Sequence, residues 1–399
     1  MSQRSVLITG CGIVSAIGQD CGQVLDSLLQ VRTGVGPLKY LKTEHTEFPV
    51  GEVKLSDEEM ERMMGIAPGT PTTRTALMGM IALHEALGEA GLSREDLKEC
   101  GFVNGTTVGG MDKSEQYYLD FIENDSRNAY IKTHDCGSCS EMIADRFGSF
   151  KMITTISTAC SSAANAIEMA ADMIRLGEAD IVVAGGSECI TKFHLNGFNS
   201  LMILDHNQCR PFDAGRAGLN LGEGAAFVVL EEAGHAASRN AKALARLSGY
   251  GNACDAFHQT ASSPDGEGAY LAMGKALKEA GLKPQDIDYV NAHGTGTPNN
   301  DESESQAMMR LFGQKMPPVS STKGMTGHTT SASGAIETVI CILALRNGFL
   351  PVNYGFSNPM ENGIVPNMDL NRGCKLRHIL CNSFGFGGND SSLVISAVE

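Results

Sequence analysis

One cysteine and two histidines carry the residue types of thiol-based acyl transfer. Cys160 stands in Ile156-Ser-Thr-Ala-Cys160-Ser-Ser-Ala-Ala, between a strand-like run, Met152–Ile156, and a long alanine-rich stretch of helical character. Small neighbours leave the sulfur accessible and let the backbone approach a substrate. A helix start concentrates free N–H groups and partial positive charge, which favour thiolate over thiol. The same N–H groups could receive the oxygen of a thioester as it becomes an oxyanion. A cysteine near a helix start also suits inert packing, so the reading rests on its company. His293 lies in Asn291-Ala-His293-Gly-Thr-Gly-Thr-Pro, and His328 closes Ser321-Thr-Lys323-Gly-Met-Thr-Gly-His328. Each stands at the end of an expected element beside Gly and Thr. Imidazole is the side chain suited to proton handling or N–H donation at neutral pH.

Metal binding is the competing use of these groups. Cys160, His293 and His328 lack the short ligand spacings of structural zinc sites, and the carboxylate run Asp301-Glu-Ser-Glu304 reads as solvated surface. Cys136-Gly-Ser-Cys139 is the one CxxC, without a second pair, and reads as packing. No metal is expected.

The elements that must position these residues alternate between strand and helix. Strand-like runs cover Val6–Thr9, where Thr9-Gly10 reads as a turn, and also 181–184, 226–230, 289–291 and 379–382. Helix-like stretches cover 76–90, 161–176, 271–280 and 334–346. Such alternation predicts an α/β architecture with helices covering sheets. A repeat is also visible. Residues 86–107, ALGEAGLSREDLKECGFVNGTT, match 276–297, ALKEAGLKPQDIDYVNAHGTGT, and SSAANAIE at 161–168 matches TSASGAIE at 330–337. Both pairs occur in the same order, which implies two related halves packed on each other. We place them at 1–252, carrying Cys160, and 253–399, carrying His293 and His328. The repeat makes Cys160 and Thr329 equivalent, so His328 is expected across the interface from the thiol.

Composition excludes several classes. The 399 residues are 42% hydrophobic, enough for a large core, and the formal charge of −15 argues against a nucleic-acid binder, which needs a basic footprint. No apolar stretch approaches the roughly 20 residues of a membrane span. The start reads as a buried strand and not as a signal peptide, and the 12 cysteines are scattered as core fillers, so a cytoplasmic protein is expected.

Seven stretches in order resemble the β-ketoacyl-[acyl-carrier-protein] synthase family of the thiolase superfamily, in particular its chain-elongating, synthase II-like members. They are VLITGCGIVSAIG (6–18), TACSSAANAI (158–167), DIVVAGGSE (180–188), CRPFDAGRAGLNLGEGAAFVVLE (209–231), NAHGTGTPNND (291–301), STKGMTGHTTSASGAIE (321–337) and CNSFGFGGND (381–390). The resemblance implies a thiolase-like fold, two related halves in a layered α-β-α-β-α sandwich. It implies an acyltransferase in which Cys160 takes an acyl chain from the phosphopantetheine thiol of an acyl-carrier protein. His293 and His328 would then promote decarboxylation of malonyl-carrier protein and stabilise the enolate. Lys323 resembles the lysine beside the second histidine and Glu304 the acidic residue linked to it, both supporting His328. Phe386 resembles a mobile gate whose N–H joins that of Cys160 as an oxyanion hole. Thr295 and Thr297 resemble partners of the pantetheine arm, and Val108 and Met111 resemble the border of the acyl pocket. No cofactor of the enzyme's own is implied, and the assembly implied is a homodimer, with a heterodimer the other arrangement.

Departures bear on the pathway. The segment Leu204-Asp-His-Asn-Gln-Cys-Arg210 is short, 57–74 is acidic with only Arg62 and Arg74, and the last turn reads Gly-Gly-Asn389-Asp390 in place of a Thr-Asn type pair. They leave fatty-acid, polyketide and aryl-polyene synthesis all open, and the carrier's docking surface unassigned. Two other readings remain. A thiolase using CoA esters needs a second cysteine near 384–390, where there is none, and a chain-length-factor subunit lacks the active cysteine that this chain has.

Overall fold

The computed structural model describes residues 4–398. Ten strands form its main sheet: β1 (Val6–Ser15), β2 (Gly101–Gly105), β3 (Met152–Ile156), β4 (Ile181–Glu188), β5 (Gly224–Glu232), β6 (Ala245–Cys254), β7 (Tyr289–Asn291), β8 (Val319–Ser320), β9 (His378–Gly385) and β10 (Asn389–Ser396). The helices that cover them or carry the site are α1 (Arg74–Ala90), α2 (Met111–Glu123), α3 (Ser162–Leu176), α4 (Lys192–Ser200), α5 (Glu267–Ala280), α6 (Pro298–Phe312) and α7 (Ser333–Asn347).

The strand order is β3-β2-β4-β5-β1-β6-β10-β9-β7-β8. Read outward from the β1/β6 seam, the two sides are the same arrangement. β5 and β10 run antiparallel to the seam strands, β4 and β9 antiparallel to those, and the outer strands parallel. The seam is only three residue pairs long, from Val6↔Leu247 to Ile8↔Ala245. The internal repeat of the sequence is thus a repeat of architecture. The expected 252/253 division falls inside β6, which pairs along its length with β10 and belongs to the second half.

Three apolar clusters hold five layers together, the central one enclosing the middle helices between both halves of the sheet. The central one joins Ile167, Ala170 and Ile174 of α3, Ile336, Val339 and Ile340 of α7, and inward-facing residues of both halves such as Ile13, Val228, Ile379 and Leu393. A second lies under α1 on the first half, with Leu77, Ile81, Phe102 and Phe227. A third lies under α5 and α6 on the second, with Met273, Leu277, Met308 and Val394. This is the α-β-α-β-α sandwich. α7 is apolar nearly all round, as a helix packed between the two halves of the sheet must be.

The same small residues recur at equivalent places. α1 and α5 both end at a left-handed glycine, Gly91 (φ 66°) and Gly281 (φ 67°), as the repeat implied. The Thr9-Gly10 turn, however, is not a turn. β1 continues to Ser15 with a register shift between Ile8 and Gly10. Its glycines serve close packing: a Cβ on Gly12 would stand 2.1 Å from the Ala82 carbonyl oxygen of α1, and one on Gly251 would stand 2.5 Å from that of Ala272 on α5. Each outer helix lies directly on a strand backbone. Gly12→Ala should therefore lower the unfolding free energy by about 1–3 kcal/mol, the usual cost of overpacking. A denaturant midpoint indistinguishable from wild type would contradict the close approach.

Candidate active site

α3 and α7 bring their first turns together at the centre of the molecule. β3 ends at Ile156, and the chain turns through Ala159, held at φ 52°, before Cys160. A non-glycine residue in the left-handed region is costly, and such strain is found where geometry is over-determined. Here it is held on several sides. Ser162 Oγ accepts from Thr158 N at 2.9 Å and donates to the Ala159 carbonyl at 2.6 Å, and Ser161 Oγ donates to Asn389 Oδ1 at 2.7 Å. Asn389 Oδ1 also accepts from Asn165 and Asn252, so the turn at β10 is tied to the cysteine turn.

His328 enters from the other half. Its N–H donates to the Asn220 carbonyl at 2.7 Å and its carbonyl accepts from Gly222 N at 2.9 Å, which fixes the backbone. Its Nε2 lies 3.1 Å from Cys160 Sγ, and its Nδ1 lies 3.1 Å from Ser333 Oγ on α7. His293 follows β7, with its ring centroid 5.2 Å from that of His328 at 83°. Its Nδ1 is buried without a hydrogen-bond partner. The three side chains line one cleft, together with Thr295, Thr297 and Phe386. Thr295 and Thr297 hydroxyls lie 2.9 Å apart. The Phe386 N–H faces the Cys160 sulfur, and its ring stacks on Phe198 with centroids 5.8 Å apart.

The supporting carboxylates are arranged differently from the expectation. Glu304 does not serve His328. Its two oxygens accept from His293 N at 2.9 Å, Gly294 N at 2.7 Å and Asn382 Nδ2 at 3.1 Å, bracing the His293 loop. The acid paired with Lys323 is Glu337 on α7, and both are buried. The sequence held one hint, since the matched repeat ends in Glu168 and Glu337. Nor is the Asp301–Glu304 run surface. Asp301 and Glu304 face inward one helical turn apart, and Asp301 accepts from Phe212 N at 2.7 Å, while Glu302 is exposed. Val108 and Met111 are absent from the cleft lining. Val108 is buried in the cluster under α1, and Met111 packs against it. Phe198, Ile203 and Leu219 line the cleft and have no chemical motif to announce them.

Burial dominates the electrostatics. It pushes the Cys160 thiol up to about 12, against the opposing pull of the Lys323 charge and the Phe386 N–H. The helix start therefore does not hold a thiolate as expected; desolvation outweighs it, and the resting group is a thiol beside an imidazole. Both histidines are held well below their ordinary range, by burial first and then by Lys323. Each is a neutral imidazole at pH 7, one ring nitrogen donating and the other accepting. Burial raises Glu304 and Glu337 to about 7. Among the described residues no three His, Cys, Asp or Glu side chains converge as metal ligands.

The chain matches the descriptions "Beta-ketoacyl synthase, N-terminal domain" over residues 3–236 and "Beta-ketoacyl synthase, C-terminal domain" over residues 244–357. It is 34% identical to a 3-oxoacyl-[acyl-carrier-protein] synthase 2 of Coxiella burnetii, with both chains covered in full. It is 30% identical to a chain of the ishigamide ketosynthase/chain length factor, with a TM-score of 0.92 and full coverage of both. It is 26% identical, with a TM-score of 0.88 and full coverage of both, to a chain of AntDE:AntF, a type II polyketide acyl-carrier protein in complex with its ketosynthase bound to the hexaketide.

Removing the buried cation should raise the Cys160 pKa further and shrink its thiolate fraction. Lys323→Met should then slow iodoacetamide alkylation of the Cys160 peptide at pH 8 by about fivefold or more, since one pKa unit is tenfold in thiolate. An unchanged or faster rate would show that Lys323 does not set the field at the sulfur.

Proposed function

The chain belongs to the β-ketoacyl synthase family, and we propose that it catalyses decarboxylative condensation of an acyl group held on Cys160 with a malonyl group held on an acyl-carrier protein. It is an acyltransferase. The observation that carries the mechanism is the 3.1 Å contact between His328 Nε2 and Cys160 Sγ, with His293 beside it in the same cleft.

The first half-reaction moves the acyl chain. Cys160 Sγ bonds to the thioester carbonyl carbon, the carbon–sulfur bond to the carrier's pantetheine breaks, and the thiol proton passes through His328 Nε2 to the leaving thiolate. The oxyanion formed on the way is met by the N–H groups of Cys160 and Phe386. Because the resting sulfur is a thiol, a proton acceptor in contact with it is required.

The second half-reaction makes the new bond without a strong base. Malonyl-thioester loses CO₂, and the electron pair left behind forms an enolate whose oxygen takes an N–H bond from neutral His293 and a second from His328 once that imidazole's single proton has moved from Nδ1, beside Ser333 Oγ, to Nε2. The enolate carbon attacks the acyl carbonyl on Cys160, the carbon–sulfur bond breaks, and the released thiolate recovers a proton from solvent. Low histidine pKa values suit this work, since the groups act as uncharged donors. Covalent capture of the first chain also sets the two carbons against each other.

Phosphopantetheine arrives with the carrier, so no cofactor of the enzyme's own is proposed. Thr295 and Thr297 line the cleft with Cys160, which supports reading them as partners of that arm. The pathway reading keeps fatty-acid, polyketide and aryl-polyene synthesis, with the polyketide neighbours favouring a specialised role. We read the assembly as a homodimer. β3 is an edge strand with partly exposed side chains, and α2 presents Tyr118, Leu119 and Ile122 to solvent. A cytoplasmic setting is proposed, and among the described residues no helix is long and apolar enough to cross a membrane.

The two histidines separate in this scheme. His293→Ala should lower malonyl decarboxylation by about a hundredfold, the scale of one lost oxyanion donor, while acyl loading of Cys160 stays near wild type. His328→Ala should lower both, because it touches the sulfur. Equal loss of both half-reactions in His293→Ala would sink the division of labour.

A further inference from the structure

Two buried groups near the cleft have no part in the proposed chemistry. Glu188 closes β4 and is fully buried. Its carboxylate accepts from Thr106 Oγ1 at 2.7 Å, Thr107 N at 3.0 Å, Val108 N at 3.3 Å and Thr330 Oγ1 at 3.3 Å. It thereby joins the turn after β2 to the turn between His328 and α7, where Thr330 is held at φ 44°. His194 Nε2 stands 3.8 Å from Glu188 Oε1, beside it but too far for a hydrogen bond, and burial holds the imidazole below its ordinary range, so it packs there uncharged.

α4, which carries His194, is anchored at its start from two directions. Thr191 Oγ1 accepts from His194 N at 3.1 Å, and Glu115 of α2 accepts from Lys192 N at 2.9 Å and Phe193 N at 2.6 Å. Four residues on, and so on the same helix face, Phe198 meets the His194 ring edge to face, with centroids 6.0 Å apart at 87°. Phe198 lines the cleft and stacks on Phe386 at 22° between ring planes. Contact is therefore continuous from the Glu188 carboxylate through His194 and Phe198 to the residue whose N–H faces Cys160.

We infer that His194 is a positioning residue for the Phe386 turn, and that it sets how far the Phe198–Phe386 stack yields when an acyl chain enters, and so which chains reach Cys160. His194 touches no reacting atom. It holds Phe198 against movement from a helix whose start is fixed, with Glu188 behind it. The substrate readout of this inference rests on the acyl-acceptor reading of Cys160; the positional readout does not.

The chain contains no tryptophan, so Phe386→Trp creates a single fluorescent reporter on the turn. Adding His194→Leu should raise acrylamide quenching of that reporter at least about twofold, and His194→Phe, which keeps an aromatic edge, should restore it. With Phe386 intact, His194→Leu should change the ratio of kcat/KM for loading dodecanoyl and hexanoyl chains onto Cys160 by about fivefold, the scale of an aromatic pair. In a Phe386→Leu background the same substitution should leave that ratio within about twofold. Unchanged quenching overturns the inference, as does a ratio that stays constant or one that still shifts without the Phe386 ring. If the wild-type chain loads no acyl group, the acyl-acceptor reading fails, and the quenching comparison alone decides the role of His194.

Discussion

A thiol and an imidazole from opposite halves of the molecule meet at 3.1 Å with both side chains buried. Cys160 comes from the entrance of α3 and His328 from the entrance of α7, and the two helices occupy the same central layer. The pair exists only because two copies of one architecture pack with those entrances adjacent. Small residues make the approach close enough. A Cβ on Gly334 of α7 would stand 2.7 Å from Ala164 N of α3. Glycine and alanine along both helices are thus conditions for the chemistry as well as for packing.

Enclosure then decides the protonation states. Desolvation disfavours every charge, so the sulfur keeps its proton and the histidines stay neutral. Lys323 is the charged residue buried among them, offset by Glu337. Its field acts in one direction on all three groups: toward thiolate at Cys160 and toward neutral imidazole at His293 and His328. A removed partner would leave a buried charge uncompensated, which is far costlier than the pair itself. Glu304 works by a different route, holding the backbone of the His293 loop through two N–H groups.

Much of this was legible in the sequence because the repeat is real. Periodicity and matching segments predicted the α/β class, the two halves and the meeting of Cys160 with His328. Errors arose where a residue's role depends on which neighbour it faces. Thr9-Gly10 looked like a turn, since a glycine needed for close helix packing, as Gly10 is against the Ala86 carbonyl of α1, has the same letter as one needed for a bend. Glu304 was assigned to His328 and Glu337 was missed, because the two carboxylates stand on different helices, α6 and α7, and only the packing of those helices decides which one faces Lys323. The Asp301–Glu304 run has surface composition, yet its i and i+3 members face inward. Cleft walls such as Phe198 and Ile203 are ordinary apolar residues until the fold gathers them. Val108 lies away from the cleft lining, packed in the apolar cluster under α1, a placement no motif encodes.

The central claim is that the acyl chain passes through a covalent bond to Cys160. The direct measurement is time-resolved peptide mass spectrometry of the chain mixed first with an acyl-carrier protein and then with malonyl-carrier protein. The Cys160 peptide should gain the acyl mass in the first step and lose it in the second, as a β-ketoacyl chain appears on the carrier. Formation of that product while the Cys160 peptide stays unmodified at every time point would contradict the account.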